Sequence, residues 1–254
     1  MSKSTHYQDV YEFNKAFGVK IEPEFDSDLI VELKDLAKLR YDLIEEEVNE
    51  LTDAITKKDK KEIIDALSDI LYVAYGAGVS FGINLDIELN KHLLDYISPH
   101  DVIKDISFFN KSRKIYTNLL VVYPNNIDIY TYILNNIYIY TDKLKNNFIS
   151  KNELNELIKN LCELIINVYI LGLIYNINLD ESFTIVHESN MSKLCKTEKL
   201  AKETVENYKN NDDRYDSPNY RKSDLGDYYV VYNESTGKIL KSIKYIPACF
   251  DNMI

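Results

Sequence analysis

Two stretches of this chain lie on one another without a gap at an offset of 94 residues. Glu62-Ile63-Ile64-Asp65-Ala66-Leu67 falls on Glu156-Leu157-Ile158-Lys159-Asn160-Leu161, Tyr75 and Gly78 fall on Tyr169 and Gly172, and Ile83-Asn84-Leu85-Asp86 meets an identical Ile177-Asn178-Leu179-Asp180. Both stretches are apolar around most of a helical circumference, the pattern of a helix enclosed by protein. A repeat of this kind asks for two copies of one helical unit. The segment Ile127 to Phe148 aligns with the long helix before the first stretch after a one-residue slip. The expected fold is therefore all-α, a helical bundle core internally duplicated as a pseudo-dimer.

The rest of the chain fits that frame. Only 7 Gly and 5 Pro occur in 254 residues, too few for the many turns of a sandwich or barrel and suited to long helices. Apolar periodicity predicts helices over Val10 to Phe17, Leu29 to Thr56, Lys60 to Phe81 and Leu85 to Tyr96, with Asp59 and Glu62 at capping-box spacing. Thr197 to Lys209 reads as an amphipathic helix, and Asn210 to Asp224 as a polar loop. Tyr228 to Tyr232 and Ile239 to Tyr245 flank Asn233 to Gly237 as a small C-terminal β-hairpin. The predicted divisions are 1–98 for the first helical core, 99–195 for the second repeat with its tail, and 196–254 for an extension.

The chemistry lies in acidic residues. Glu46, Glu47 and Glu50 sit on the long helix, with Glu47 and Glu50 at the border of its apolar stripe; Glu62, Asp65 and Asp69 form an i, i+3, i+7 row on the next helix. Burial of that helix predicts burial of its carboxylates. Several carboxylates in a low-dielectric site either take up protons or bind cations. An all-oxygen set suits a hard divalent ion. No histidine stands at di-iron spacing on either helix, and Cys162, Cys195 and Cys249 lack the spacing of a disulfide framework or a zinc site.

These residues resemble a family. Glu46-Glu47-x-x-Glu50 followed by Glu62-x-x-Asp65, with Asp69 in Ala66-Leu67-Ser68-Asp69-Ile70-Leu71-Tyr72-Val73, is similar to the paired motif of the all-α NTP pyrophosphatase superfamily. That group includes MazG-like enzymes, dimeric dUTPases and phosphoribosyl-ATP pyrophosphohydrolases. Val186 to Leu194, with Asn190-Met191-Ser192-Lys193, resembles the tail after the MazG-like core, and Tyr215 to Pro247 resembles extensions of phage and viral members. The resemblance implies Mg²⁺-dependent hydrolysis of a nucleoside triphosphate to monophosphate and pyrophosphate, with Mn²⁺ as a substitute. It implies metal ligation by Glu47, Glu50, Glu62 and Asp65, with Glu46 and Asp69 beside them in catalysis. The tail implies phosphate contacts from Asn190 and Lys193, and the extension offers Arg221, Lys222, Lys238 and Lys241. One departure stands out: the first repeat keeps the acids and lacks the tail, whereas the second keeps the tail and has Lys159 in place of Asp65.

Charge agrees with this chemistry. With Lys+Arg 30 against Asp+Glu 41 the net charge is −11, so no nucleic-acid partner is expected, because a polyphosphate backbone is bound through lysine and arginine. A triphosphate would need divalent ions between it and such a chain. There is no Gly-x-x-x-x-Gly-Lys-Ser/Thr loop. The polar start and the interrupted apolar run Leu161 to Leu179 predict neither a leader nor a membrane span, hence a cytoplasmic protein, in the host if the source is viral. Oligomers of pseudo-dimeric chains are compatible with the reading. The alternatives are a phosphoribosyl-ATP pyrophosphohydrolase, a non-catalytic nucleotide sensor of the same fold, and a purely structural bundle.

Overall fold

The computed structural model of the protein describes residues 4–104, 107–123, 125–151 and 156–254. Its helices in chain order are α1 (His6–Phe17), α2 (Ser27–Glu32), α3 (Lys34–Lys57), α4 (Lys60–Ser80), α5 (Leu85–His92), α6 (Pro99–Lys104), α7 (Phe108–Val122), α8 (Asn126–Phe148), α9 (Leu157–Ile174), α10 (Leu179–Met191) and α11 (Glu198–Asn211). Two strands follow, β1 (Pro218–Lys222) and β2 (Tyr229–Asn233). The chain is all-α in its core with a small C-terminal hairpin.

Local sequence explains where the elements begin and end. Thr5 caps α1 reciprocally with Gln8, and Gly18 at φ 63° closes it. Lys58 at φ 57° and Asp59, whose carboxylate accepts from Lys61 N and Glu62 N, make the tight link between α3 and α4. Asn84 accepts from Ile87 N at the start of α5. The continuous helix expected over Leu29 to Thr56 is instead broken at Leu33, which leaves the helical region at φ −97°, ψ 48°.

The repeat reappears as matched packing. α4 lies against α3, α1 and α10, and α9 lies against α8, α7 and α5. α4 also touches α9, and α3 touches α8. Exchange of α5 and α10 between the two sets, with like helices meeting at the centre, is the pattern a two-fold axis generates. Matching details recur at the 94-residue offset. Tyr75 Oη donates to Asp86 Oδ1 at 3.0 Å and Tyr169 Oη to Asp180 Oδ1 at 2.7 Å. The other oxygens of those aspartates accept from Tyr7 N at 3.3 Å and Phe109 N at 3.4 Å, tying down the starts of α1 and α7. Gly78 and Gly172 each leave room for a leucine: an added Cβ would stand 2.8 Å from Leu85 Cδ1 and 2.7 Å from Leu179 Cδ1.

One continuous apolar core runs from Val10 through both helical sets to Phe250. The predicted cores 1–98 and 99–195 thus share their interior. By length and apolarity α4 and α9 could each cross a membrane, but most of each is buried inside this protein. The hairpin differs from expectation. β2 pairs antiparallel with β1, with Tyr220 opposite Val231, whereas Ile239 makes only an isolated bridge to Tyr232. β1 thus comes from the segment read as a polar loop. The extension docks on α1 through Arg221 Nη2 to Phe17 O at 2.6 Å and Ser223 Oγ to Ala16 O at 2.7 Å. It also holds the end of α10, with Ile246 N donating to Ser192 Oγ at 2.9 Å and Ser189 Oγ to Tyr245 Oη at 3.0 Å.

Candidate active site

The short link at Lys58 and Asp59 folds α3 and α4 back to back. Positions equally distant from the link then face one another, which sets Glu47 near Asp69 and Glu50 near Asp65. Burial and mutual repulsion follow. Glu47 is pushed up from 4.5 to about 8 by burial first and then by Asp69, Glu50, Glu46 and Asp65. Asp69 rises to about 7 through burial, Asp65 and Glu50, against the pull of Lys193. Asp65 is raised by burial, Glu62 and Glu50. Glu47 Oε2 is sealed from solvent, and among the described residues nothing donates to it.

The structure thus brings together Glu46, Glu47, Glu50, Glu62, Asp65 and Asp69 within electrostatic reach, but not all are buried. Glu46, Glu50 and Glu62 are exposed, and Glu47, Asp65 and Asp69 are partly buried. The expectation of buried carboxylates fails for Glu62 because the first turn of α4 lies at the surface. Among the described residues no three His, Cys, Asp or Glu side chains are gathered closely enough to hold one metal ion in this conformation. The donor set nonetheless fits a hard divalent cation in kind: it is oxygen only, mutually repulsive, and contains one buried oxygen lacking a donor.

Beside the acids a pocket of about 280 Å³ opens between α1, α3, α4 and the end of α10. Glu47, Asp69, Asn190 and Lys193 line one end; Phe13, Asn14, Arg40, Tyr72 and Gly76 are among the residues lining the rest. Lys193 Nζ donates to Asn190 Oδ1 at 2.6 Å. Its amine is lowered by burial and by Lys241, with Asp69 acting in the opposite sense. Of the tail and extension residues expected at phosphates, Asn190 and Lys193 reach the pocket. Arg221 and Lys222 do not: Arg221 holds the Phe17 carbonyl and stacks on Tyr232, and Lys222 pairs with Asp227 at 3.2 Å. Lys238 lies over the Tyr215 ring. Lys241 lies over the Tyr245 ring and is felt electrostatically by Asp65.

Arg40, absent from the expected site residues, has a sequence signal of its own: a charged residue inside the apolar stripe of α3, seven positions before Glu47 and therefore on the same face. The second half shows the corresponding place filled. At the one-residue slip Tyr140 and Lys143 stand where Glu47 and Glu50 do in the first half. At the 94-residue offset Lys159 replaces Asp65, and Glu163 replaces Asp69. Glu163 there accepts from His92 Nε2 at 3.0 Å and Tyr96 Oη at 2.5 Å. Those donors outweigh burial and hold its carboxyl below the usual range.

A sequence profile described as phosphoribosyl-ATP pyrophosphohydrolase matches residues 10–91, the span from α1 through α5 that carries the acids. Over 242 residues the chain is 36% identical to "Uncharacterized protein L479" of Acanthamoeba polyphaga mimivirus, covering 94% of this chain and 92% of that protein. The chain belongs to the all-α NTP pyrophosphatase superfamily. That superfamily is a group of hydrolases of phosphoric anhydrides that generally use divalent metals. The match to the mimivirus protein, whose source is viral, runs on through the second helical set and the extension. No solved structure matches the chain.

Proposed function

We propose that this protein is a Mg²⁺-dependent nucleoside triphosphate pyrophosphohydrolase, with Mn²⁺ as a substitute, that splits a (d)NTP into the monophosphate and pyrophosphate. The observation that carries the reading is the buried, donorless Glu47 Oε2 among Glu46, Glu50, Asp65 and Asp69. Such a set is held against its own repulsion for a cation. Glu47, Glu50, Glu62 and Asp65 are assigned as its ligands. When bound, a divalent ion neutralises phosphate oxygens and polarises the phosphorus toward attack.

The chain's own side chains supply the rest. Lys193, drawn from the second half, donates to a phosphate oxygen, with Asn190 holding the amine in place. Asp69, titrating at about 7, takes the proton of the attacking water as the new O–P bond forms and the α–β anhydride breaks. Glu46, exposed next to Glu47, orients water beside it. The two helical sets are assigned as fused protomers, with one such site per chain.

Release of pyrophosphate from a panel of nucleotides with and without Mg²⁺ tests the reading. Metal-dependent turnover that is lost in Glu50→Gln and Asp65→Asn supports it; full turnover in both variants removes the site assignment. The name of the matched profile favours a second substrate with the same anhydride, phosphoribosyl-ATP, which belongs in the same panel.

A further inference from the structure

Arg40 is 7% exposed. Its Nε donates to Ser80 Oγ at 3.0 Å, and Ser80 Oγ donates to Lys20 O at 3.2 Å. Asn14, also buried, donates from Nδ2 to that same carbonyl at 3.3 Å. The guanidinium plane is fixed by this chain of bonds, yet its Nη2 is sealed from solvent and, among the described residues, nothing accepts from it. Burial lowers the group to about 10, so it stays a cation at neutral pH. A buried cation with an unused donor is costly unless something accepts from it.

Gly76 makes the space. A Cβ there would stand 3.2 Å from Arg40 Nη1. In the second half Ile170 occupies the place of Gly76, and Ile133 that of Arg40. Arg40 lines the same pocket as Glu47 and Asp69 but at its other end: its tip lies at the level of Gly76 and Ser80 on α4. At about 1.5 Å per residue this is roughly 10–16 Å along the helix from Asp69. A phosphate held at the acids cannot reach it, whereas the base of the same nucleotide can. Phe13 and Tyr72, with rings 5.6 Å apart, and Val10, Leu43 and Val73 give the apolar walls that a flat ring needs.

We infer that Arg40 reads the nucleobase, so that the pocket selects bases presenting a ring carbonyl at their far edge over those presenting an exocyclic amine. A guanidinium offers donors only. The O4 of uracil or thymine and the O6 of guanine accept from it, whereas the amino groups of cytosine and adenine oppose donor to donor. The inference rests on the proposed function in taking the ligand to be a nucleotide.

The test measures kcat and KM for dUTP, dTTP, dGTP, dCTP and dATP with Mg²⁺, and calorimetric binding of dUMP, dGMP, dCMP and dAMP, which needs no turnover. For the wild type, kcat/KM and affinity are expected to favour the carbonyl bases by about 10- to 100-fold. Arg40→Met should level the two classes, raising KM and weakening nucleotide binding for the carbonyl bases in particular. Arg40→Gln, whose amide offers an acceptor as well as donors and so accommodates both classes, serves if Arg40→Met does not fold and should likewise level them. Equal use of both classes by the wild type, or an undiminished preference in the variant, overturns the inference and leaves the hydrolase reading intact. Selective binding of dUMP and dGMP with no turnover of any triphosphate does the reverse.

Discussion

Replacing Glu47 by glutamine removes one charge from the centre of the acidic cluster with almost no change in shape, and its effects on stability and function should have opposite signs. In the folded metal-free protein Glu47 titrates at about 8, against 4.5 without the fold. The folded state therefore holds a proton that the unfolded chain releases. Stability from this group is complete below 4.5 and is lost as pH rises through 8. That displacement caps the penalty at about 5 kcal/mol. Because the carboxylate is only partly buried and solvent screens its neighbours, a penalty on the order of 1–2 kcal/mol is more realistic. At 2–4 °C per kcal/mol for a chain of this size, Glu47→Gln should melt roughly 2–8 °C higher than the wild type at pH 8.5 in EDTA, with the difference vanishing at pH 4.5. Mg²⁺ should then raise the wild-type melting temperature and raise that of the variant much less. A variant that melts at or below the wild type at pH 8.5, or that responds fully to Mg²⁺, would refute the claim that ionising this carboxylate costs the fold stability that a cation restores.

Lys193→Ala should lower kcat/KM by about 10- to 100-fold with the fold intact, since a charge-assisted contact to phosphate is lost; steady-state kinetics beside circular dichroism checks it. Gly82→Ala should cost about 3 kcal/mol or more, because φ is 73° and an added Cβ would lie 2.3 Å from the Glu24 carbonyl carbon; a urea midpoint close to that of the wild type would contradict it. Glu163→Gln should leave activity near pH 8 within twofold. Because His92 and Tyr96 hold the Glu163 carboxyl below its ordinary value, its stabilisation is present above about pH 4.5 and lost as pH falls further. The wild type should therefore lose its advantage over Glu163→Gln in acid, and a melting difference that stays constant from pH 7 to pH 3 counts against this account.

How far the sequence reveals this molecule depends on whether a feature is written locally. The buried helices α4 and α9, the acids on α3 and α4, and the repeated Gly-to-Leu and Tyr-to-Asp pairs are visible as periodicity and spacing, because each is a property of one helix or one corner. Leu33 breaks a helix without glycine or proline, and Leu39, which belongs to the apolar stripe by spacing, is 50% exposed; both follow from how neighbouring segments pack. α7 carries too mixed a surface to announce itself, and it emerges only as the counterpart of α1, through the bond from Phe109 N to Asp180. β1 begins at Pro218, which is suited to the first residue of an edge strand, and the rest of it is polar enough to pass for a loop. Arg40 needed Gly76 and Ser80, both on another helix, to show that its charge is buried.

The exchange of α5 and α10 gives a physical account of why the two halves have lost different parts. Under the proposed site, the surviving pocket draws its acids from α3 and α4 and its Asn190 and Lys193 from the end of α10, which the second half supplies. The mirror-related position would draw acids from α8 and α9 and a tail from the end of α5. There the sequence keeps Glu156 for Glu62 but has Tyr140, Lys143 and Lys159 for Glu47, Glu50 and Asp65, and Tyr96 and Pro99 where Asn190 and Lys193 would correspond. What is missing from each half is a part that could serve only the second pocket. A chain whose halves formed their sites independently would have no reason to keep the tail on one half and the acids on the other. Exchange accounts for that division if the proposed site is the one the chain keeps, since that site draws on both retained parts. The carboxylate kept at Glu163 fits the same account: sealed by His92 and Tyr96, it has become a fastening between α5 and α9.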